Sequence, residues 1–130
     1  MAGVIVKKSK IEGKGVFAAR DFKKGEIVLK WDNSKKLTKD ELKKVPESKK
    51  KYVSYNKGKV VYMQPPERYV NHSCNANTKI LNSCDVAIRD IKNGEEITSD
   101  YSEDLPPDFK MKCNCGSKNC RGIIVSNSKK

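Results

Sequence analysis

The chain of 130 residues has a single histidine, a single tryptophan and only four arginines, and it contains no long apolar run. One histidine excludes any site that needs two imidazole groups, whether for metal binding or for acid–base chemistry. A transmembrane helix needs roughly twenty consecutive apolar residues, and the first residues lack the apolar stretch of a signal peptide. We therefore expect a soluble, intracellular protein without membrane contact, and the length predicts one domain.

Acidic residues are also scarce, because 16 of them face 28 basic residues and leave a formal net charge of +12. Lysine supplies nearly all of the basic residues. A surface of this kind attracts polyanions such as nucleic acids by electrostatic contact. Because the lysines are scattered and no recognition helix accompanies them, a solvated lysine-rich surface explains the charge equally well.

The five cysteines are an odd number, which favours metal binding over a disulfide framework. Cys113, Cys115 and Cys120 form a C-x-C-x4-C cluster, one ligand short of a closed tetrahedral zinc site. Cys74 is the distant fourth candidate, and His72 is a further candidate ligand. Cys84 is then left over, and we expect it to be a small buried hydrophobic residue.

Short apolar runs rich in β-forming residues predict a mainly β fold. The predicted strands are Val4 to Val6, Gly15 to Ala18, Ile27 to Trp31, Val60 to Met63, Val86 to Ile91 and Glu96 to Thr98. Residues 52–55 and 59–62 predict a hairpin around Asn56-Lys57-Gly58. One helix is predicted over Thr38 to Lys44, with Thr38 and Glu41 as a capping box. Residues 105–130 predict an irregular, metal-organised tail.

Four segments occur in an order that resembles the SET-domain family of protein lysine methyltransferases, with a zinc-binding post-SET segment. They are Glu12 to Ala18, Arg68 to Cys74, Gly94 to Tyr101 and Cys113 to Gly122. The resemblance covers about Val4 to Ile124. It implies a SET domain over 1–104, a post-SET zinc segment over 105–124 and a disordered tail over 125–130. The implied fold has small curved β-sheets, few short helices and a pseudoknot in which residues 94–101 thread a loop near Asn71 and His72.

The resemblance also implies an activity and two cofactors. Members transfer methyl groups from S-adenosylmethionine to a lysine ε-amine of a protein, and their post-SET segment binds Zn²⁺. The implied ligands of the zinc ion are Cys74, Cys113, Cys115 and Cys120. The implied cofactor-binding residues are Glu12, Gly13, Lys14, Arg68, Tyr69, Asn71 and His72. By the same likeness, His72 acts through structure and cofactor contacts rather than as an acid or base.

Tyr101 matches the terminal tyrosine of the family's strand-end motif, which implies a catalytic role in orienting the reacting groups. A second channel tyrosine is expected upstream, with Tyr52 preferred and Tyr55 as the alternative. A dry, apolar channel lowers the pKa of the target amine by desolvation, so no strong protein base is required. Ser99 stands where an aromatic residue commonly narrows the channel, which predicts capacity for di- or trimethylation. Ile123 stands where an aromatic residue often covers the cofactor.

The net positive charge of the chain affects which substrate we expect. A strongly basic enzyme repels a free basic peptide at long range, so we expect a histone or another basic protein presented on nucleic acid. The alternative is a catalytically inactive, zinc-stapled basic module that binds nucleic acid or protein, and a structural chromosomal protein ranks last. The resemblance implies a nuclear or chromatin-associated location in a eukaryote and a cytoplasmic one in a prokaryote. The sequence leaves the oligomeric state open.

Overall fold

The computed structural model describes residues 3–11, 13–32, 34–56, 59–101, 110–113, 118 and 120–125. Within them, short strands dominate and are joined by one α-helix and two 3-10 helices. The strands are Val4–Lys8 (β1), Lys14–Ala18 (β2), Ile27–Lys30 (β3), Val53–Asn56 (β4), Lys59–Tyr62 (β5), Asn71–His72 (β6), Thr78–Leu81 (β7), Cys84–Ala87 (β8), Glu96–Ser99 (β9), Lys110–Lys112 (β10) and Ile123–Val125 (β11). The helix is Lys39–Lys44 (α1), and the 3-10 helices are Glu47–Tyr52 and Glu67–Tyr69. The mainly β prediction is confirmed.

A four-stranded sheet with the order β1-β2-β9-β6 contains parts of the motif segments at residues 12–18, 68–74 and 94–101. The pairs β1–β2 and β2–β9 are antiparallel, whereas β6 runs parallel to β9. In that parallel pair, Asn71 lies opposite Thr98 and His72 lies opposite Ser99. Two segments about 25 residues apart in sequence are therefore brought side by side, as the expected pseudoknot requires.

Three smaller sheets complete the fold. They have the strand orders β3-β8-β7, β4-β5 and β10-β11, and all their pairs are antiparallel. The β4–β5 pair confirms the predicted hairpin, although residues 57 and 58 lie outside the described part. The β10–β11 pair corrects the expected irregular tail, because residues 110–112 and 123–125 pair in regular register. The expected disordered tail falls almost wholly on residues outside the description.

The main core joins buried residues of the four-stranded sheet to buried residues of β3 and β8. Its most deeply buried side chains are Val16, Phe22, Ile91 and Ile97, each at most 2% exposed. Burying a side chain of this size contributes roughly 1.5–3 kcal/mol. Because Val16 and Ile97 belong to β2 and β9, the core fixes the two central strands on which the candidate site is built.

Helix α1 begins after Thr38, whose hydroxyl accepts a hydrogen bond from the Glu41 backbone N–H at 3.1 Å. The Glu41 carboxylate accepts in turn from the Thr38 backbone N–H at 3.0 Å. The predicted capping box is confirmed, and the helix starts one residue later than predicted. None of its six residues is buried. In the described part of the chain, no helix has the length and apolar character needed to cross a bilayer.

Several predicted boundaries need correction. Strand β3 ends at Lys30 rather than Trp31, and β8 covers Cys84–Ala87 instead of reaching Ile91. Ile91 instead forms an isolated bridge with Phe22. Cys84 is half-buried, so the expectation of a fully buried residue was wrong.

Candidate active site

Tyr101 follows β9 and meets His72, the end residue of β6. The Tyr101 backbone N–H donates a hydrogen bond to His72 Nδ1 at 2.9 Å, and the two rings pack edge to face with centroids 5.5 Å apart. The Tyr101 hydroxyl donates to the carbonyl oxygen of Val70. Both ends of Tyr101 are thus held by the segment at residues 70–72.

His72 is held in its neutral form. It is only 4% exposed, and burial lowers its pKa to about 4, opposed by the Asp100 carboxylate and reinforced by the Arg121 guanidinium. Its Nδ1 accepts a hydrogen bond, so in the neutral ring Nε2 either carries the proton or binds a metal. A role in structure and cofactor contacts needs no proton transfer, and for His72 that role stays a prediction.

A narrow cavity of about 20 Å³ lies beside Tyr101, with room for a water molecule. Its wall is mainly apolar, with Tyr101 and Ser99 at the end of β9. The other lining residues are Trp31, Val53, Ser54, Met63, Arg68, Val70, Ile80 and Asp85. The cavity has the largely apolar wall expected of a lysine channel, but its volume admits a water molecule and not a lysine side chain. It differs from that expectation because a carboxylate and a guanidinium are also part of its wall.

The predicted cofactor residues Lys14 and Asn71 are in contact across the sheet. The Asn71 side-chain amide donates to the Lys14 carbonyl oxygen at 3.0 Å and to Glu96 Oε2 at 2.9 Å. The Ser9 hydroxyl lies 2.8 and 2.9 Å from the two oxygens of the same carboxylate. A side chain at Gly15 would collide with Glu96, so glycine there allows the carboxylate to hold Asn71.

The other predicted cofactor residues form an aromatic and cationic group. Lys14 Nζ lies 5.5 Å from the centroid of the Tyr69 ring, which packs edge to face with Tyr52 at 6.4 Å. The Arg68 guanidinium lies 5.0 Å from the centroids of both Tyr52 and Tyr62. Arg68 therefore joins this group to the cavity wall.

Not every predicted site residue can be placed. Glu12 lies outside the described residues, and Gly13 has the left-handed φ of +32° that favours glycine. Tyr52 packs beside Arg68, and neither it nor Tyr55 is among the described residues that line the cavity. Both remain predictions as channel tyrosines.

Two of the predicted zinc ligands are close together. Cys74 Sγ lies 3.7 Å from Cys113 Sγ and 3.4 Å from His72 Nε2, and the three ligand atoms lie within 4.8 Å of one another. Sulfur atoms bound tetrahedrally at about 2.3 Å are roughly 3.8 Å apart, so the spacing fits a zinc ion. Cys120 Sγ lies 4.0 Å from the Cys113 carbonyl oxygen and does not belong to this group. Cys115 lies outside the described residues.

Arg121 links the C-terminal segment to Cys74 and to Asp100. Its backbone N–H and its Nε donate to Cys74 Sγ at 3.2 and 3.3 Å, and its Nη2 pairs with Asp100 Oδ2 at 3.0 Å. These partners raise the pKa of the guanidinium, the hydrogen bond to Cys74 most of all. Two nitrogen donors of Arg121 therefore meet the sulfur atom of a proposed zinc ligand.

Trp31 and Asp85 are site residues that sequence reasoning missed. Trp31 Nε1 donates to Asp85 Oδ2 at 2.9 Å, and Asp85 is 1% exposed. Two signals were available: the only tryptophan of the chain at the end of a predicted strand, and an acidic residue inside the run Cys-Asp-Val-Ala. Neither signal shows that the two residues meet.

Two known proteins are similar to this chain in sequence. The histone-lysine N-methyltransferase trr of Drosophila melanogaster is 33% identical over 139 residues, which cover 91% of this chain and 6% of that protein. Human histone-lysine N-methyltransferase 2D is 31% identical over 144 residues, which cover 91% of this chain and 2% of that protein. The chain therefore spans only a small fraction of the length of these relatives.

A solved structure is also similar. It is described as ctPRC2 in an autoinhibited conformation bound to S-adenosylmethionine, and the match has a TM-score of 0.63 at 28% identity, covering 80% of this chain and 16% of that one. The family model described as the SET domain matches residues 13–102. This match covers more than half of the chain and includes β2, β6, β9 and Tyr101, so the chain belongs to the SET domain family.

Proposed function

We propose that this protein is a protein-lysine N-methyltransferase that uses S-adenosylmethionine. The observation that carries the proposal is the cavity lined by Tyr101 and Ser99, next to the sheet in which the Asn71 side chain donates a hydrogen bond to Lys14. Similarity to histone-lysine N-methyltransferases and to a structure bound to S-adenosylmethionine supports both the reaction and the cofactor.

The chain's own residues supply position and exclusion of water. A lysine ammonium has a pKa near 10.4 in water and must lose its proton before it can act as a nucleophile. The bound cofactor supplies an electrophilic methyl group. Val53, Val70 and Ile80 desolvate the alkyl chain of the lysine, and the proton leaves through water. Tyr101, held through its hydroxyl and its backbone N–H, orients the amine, which is the largest contribution expected from such a site.

The cofactor is assigned to the group around Asn71. Glu96 and Lys14 fix the Asn71 amide, and Gly13, Tyr69 and His72 complete the proposed pocket, with Glu12 and Arg68 as predicted members. Small residues near Gly13 allow a ligand to approach the backbone closely.

A structural zinc ion is the second proposed cofactor. Cys74 and Cys113 have the spacing that zinc requires, and His72 Nε2 lies beside them. Cys115 and Cys120 are the other two proposed ligands. His72 Nε2 is the nearest alternative, because its ring is neutral and its Nδ1 already accepts a hydrogen bond.

The proposed substrate is a basic chromosomal protein, with histones as the first choice because both relatives are named for histone lysine. With four cysteine thiolates and one zinc ion the net charge is still about +10. Such a charge disfavours free basic peptides, so we propose that the substrate is presented on nucleic acid.

The test uses purified, zinc-loaded protein, radiolabelled S-adenosylmethionine and core histones. We expect label on lysine, and a loss of about 100-fold or more in rate for Tyr101→Phe, because a misplaced reacting group costs rates of this order. Tyr62→Phe is the matched control, since its ring lies outside the cavity. Unlabelled histones together with no calorimetric binding of the cofactor would contradict the proposal and favour an inactive basic binding module.

A further inference from the structure

We propose that Asp85 is a substrate-binding residue that holds the ammonium group of the target lysine, with the indole of Trp31 beside it. The inference rests on the proposed function, because it takes the cavity beside Tyr101 as the lysine channel, which must widen from about 20 Å³ to admit the side chain. It adds to that function a residue that selects a cationic side chain.

The position of the carboxylate is fixed by the sheet. Asp85 lies on the central strand β8, opposite Leu29 of β3 and Ile80 of β7. Trp31 follows β3, and its indole N–H donates to Asp85 Oδ2 at 2.9 Å. Asp85, Trp31, Ser99 and Tyr101 all line the same cavity. A carboxylate that is 1% exposed is thus held in the wall of the proposed substrate channel.

A buried carboxylate changes which ligands the cavity can accept. Moving an alkylammonium from water into an apolar site costs several kcal/mol unless a counter-charge is present. Asp85 supplies that counter-charge, and the face of an indole attracts cations as well. The apolar side chains Val53, Val70 and Ile80 suit the alkyl part. Together they favour a primary or methylated alkylammonium over a neutral chain of equal length.

The other charged group in the wall is already engaged. Arg68 Nε donates to the Met63 carbonyl oxygen at 2.9 Å, and its guanidinium packs on the rings of Tyr52 and Tyr62. Its positive charge repels a cation, so the attraction must come from Asp85, the acidic residue among the described lining residues.

The role belongs to binding rather than to the methyl-transfer step. A nearby carboxylate stabilises the ammonium against loss of its proton, so it favours entry of the substrate without favouring its activation. Removing the charge should therefore raise KM and leave kcat unchanged or slightly higher. A purely structural role for Asp85 would not divide its effect between KM and kcat in this way.

The first test needs no turnover. The single tryptophan gives one indole N–H resonance, and that N–H is hydrogen-bonded to Asp85. We expect n-butylammonium at millimolar concentration to shift this resonance saturably in the wild type, and the neutral analogue n-butanol to bind at least tenfold more weakly. Asp85→Asn, which keeps an oxygen acceptor for the indole, should weaken n-butylammonium binding at least tenfold. Asp40→Asn, the same charge change on the exposed helix α1, should leave it unchanged.

The second test is kinetic, with core histones as substrate. Asp85→Asn should raise KM tenfold or more, with kcat within about threefold and an unchanged Kd for S-adenosylmethionine. Equal KM values for Asp85→Asn and wild type, or equal affinities for n-butanol and n-butylammonium, would overturn the inference. Intact n-butylammonium binding in a wild type that labels no lysine would instead overturn the proposed function and support the ammonium-binding role of Asp85.

Discussion

At the scale of single residues, Ser99 decides how much space the proposed channel offers. It is 4% exposed, lies opposite His72 in the parallel strand pair and lines the cavity with Tyr101. A small side chain leaves room for methyl groups already transferred. We expect exhausted reactions of the wild type to contain di- or trimethyl-lysine, and Ser99→Phe to stop at monomethyl-lysine. Mass spectrometry of the substrate measures this directly.

Ser99→Ala is the matched control for that substitution, because it removes the hydroxyl without filling the cavity and should give the wild-type product distribution. A wild type that produces only monomethyl-lysine would contradict the prediction, whatever the phenylalanine variant does.

Glu67 predicts a pH dependence of stability. It is 2% exposed, its Oε2 accepts from the Asp32 backbone N–H at 2.7 Å, and burial raises its pKa. A carboxyl whose pKa is raised by folding binds its proton more tightly in the folded state. Its contribution to folding stability is therefore fully present below the unfolded pKa of about 4.3, and it is lost as the pH rises through the folded pKa.

We therefore expect Glu67→Gln, which keeps an oxygen acceptor, to gain stability relative to wild type between about pH 4 and pH 7. Chemical denaturation at several pH values measures the difference, with exposed Asp40→Asn as the control for removal of one negative charge. A constant difference between Glu67→Gln and wild type across this range would contradict the role assigned to burial.

The sequence offers candidate residues where a local motif names them, and it misses residues that only a sheet register brings together. Tyr101, Asn71 and Cys74 were identified from short local patterns, and the structure brings their segments into contact. The hydrogen bond between Trp31 and Asp85 joins residues 54 positions apart. It exists because β3 and β8 pair in one register with an irregularity near Leu29, and no local pattern specifies that register.

At the scale of elements, the β10–β11 pair is short, although its residue Ile124 is 1% exposed and packs in a cluster with Cys113 and Cys74. It has three residue pairs, and the described links from this segment to the rest of the fold include Cys74–Cys113 and Arg121–Asp100. An isolated two-stranded hairpin is marginally stable in water. The proposed zinc ion should therefore supply much of the stability of this element.

We expect chelation of zinc to increase amide hydrogen exchange in residues 110–113 and 121–125, while residues of β2 and β9 keep their protection. Cys74→Ser should lower the bound zinc measured by elemental analysis, whereas Cys84→Ser, at the cysteine outside the cluster, should not. Equal exchange in the hairpin with and without zinc would show that the metal does not stabilise it.

Elements that depend on neighbouring residues were predicted, whereas strands that depend on a distant partner were missed. Helix α1 was predicted to within one residue because the capping box lies within four neighbouring positions. Strand β6 was missed because it has two residues and its partner β9 comes about 25 residues later. Strand β10 was missed because Lys-Met-Lys has no apolar run, and its pairing depends on β11 across the cysteine cluster.

At the scale of the whole molecule, the net charge of +12 governs how the protein meets a basic substrate. Exposed lysines at positions 35, 36, 39, 43, 44 and 49 surround and flank helix α1. Like charges reduce the rate of encounter with a free basic protein, whereas DNA carrying that protein presents a dense negative charge. The two forms of one substrate should therefore differ in rate for reasons unrelated to the channel.

We expect core histones assembled on DNA to be methylated with a higher kcat/KM than free histones at the same salt concentration, measured by transfer of label. The advantage should fall as salt rises, because counterion release weakens, and the rate on free histones should rise as screening reduces repulsion. Tyr101→Phe gives the background for both substrates. Equal kcat/KM values for free and DNA-bound histones at low salt would mean that the net charge of the protein does not select the substrate. Selection would then depend on contacts at the channel, and Asp85 would be the first residue to test.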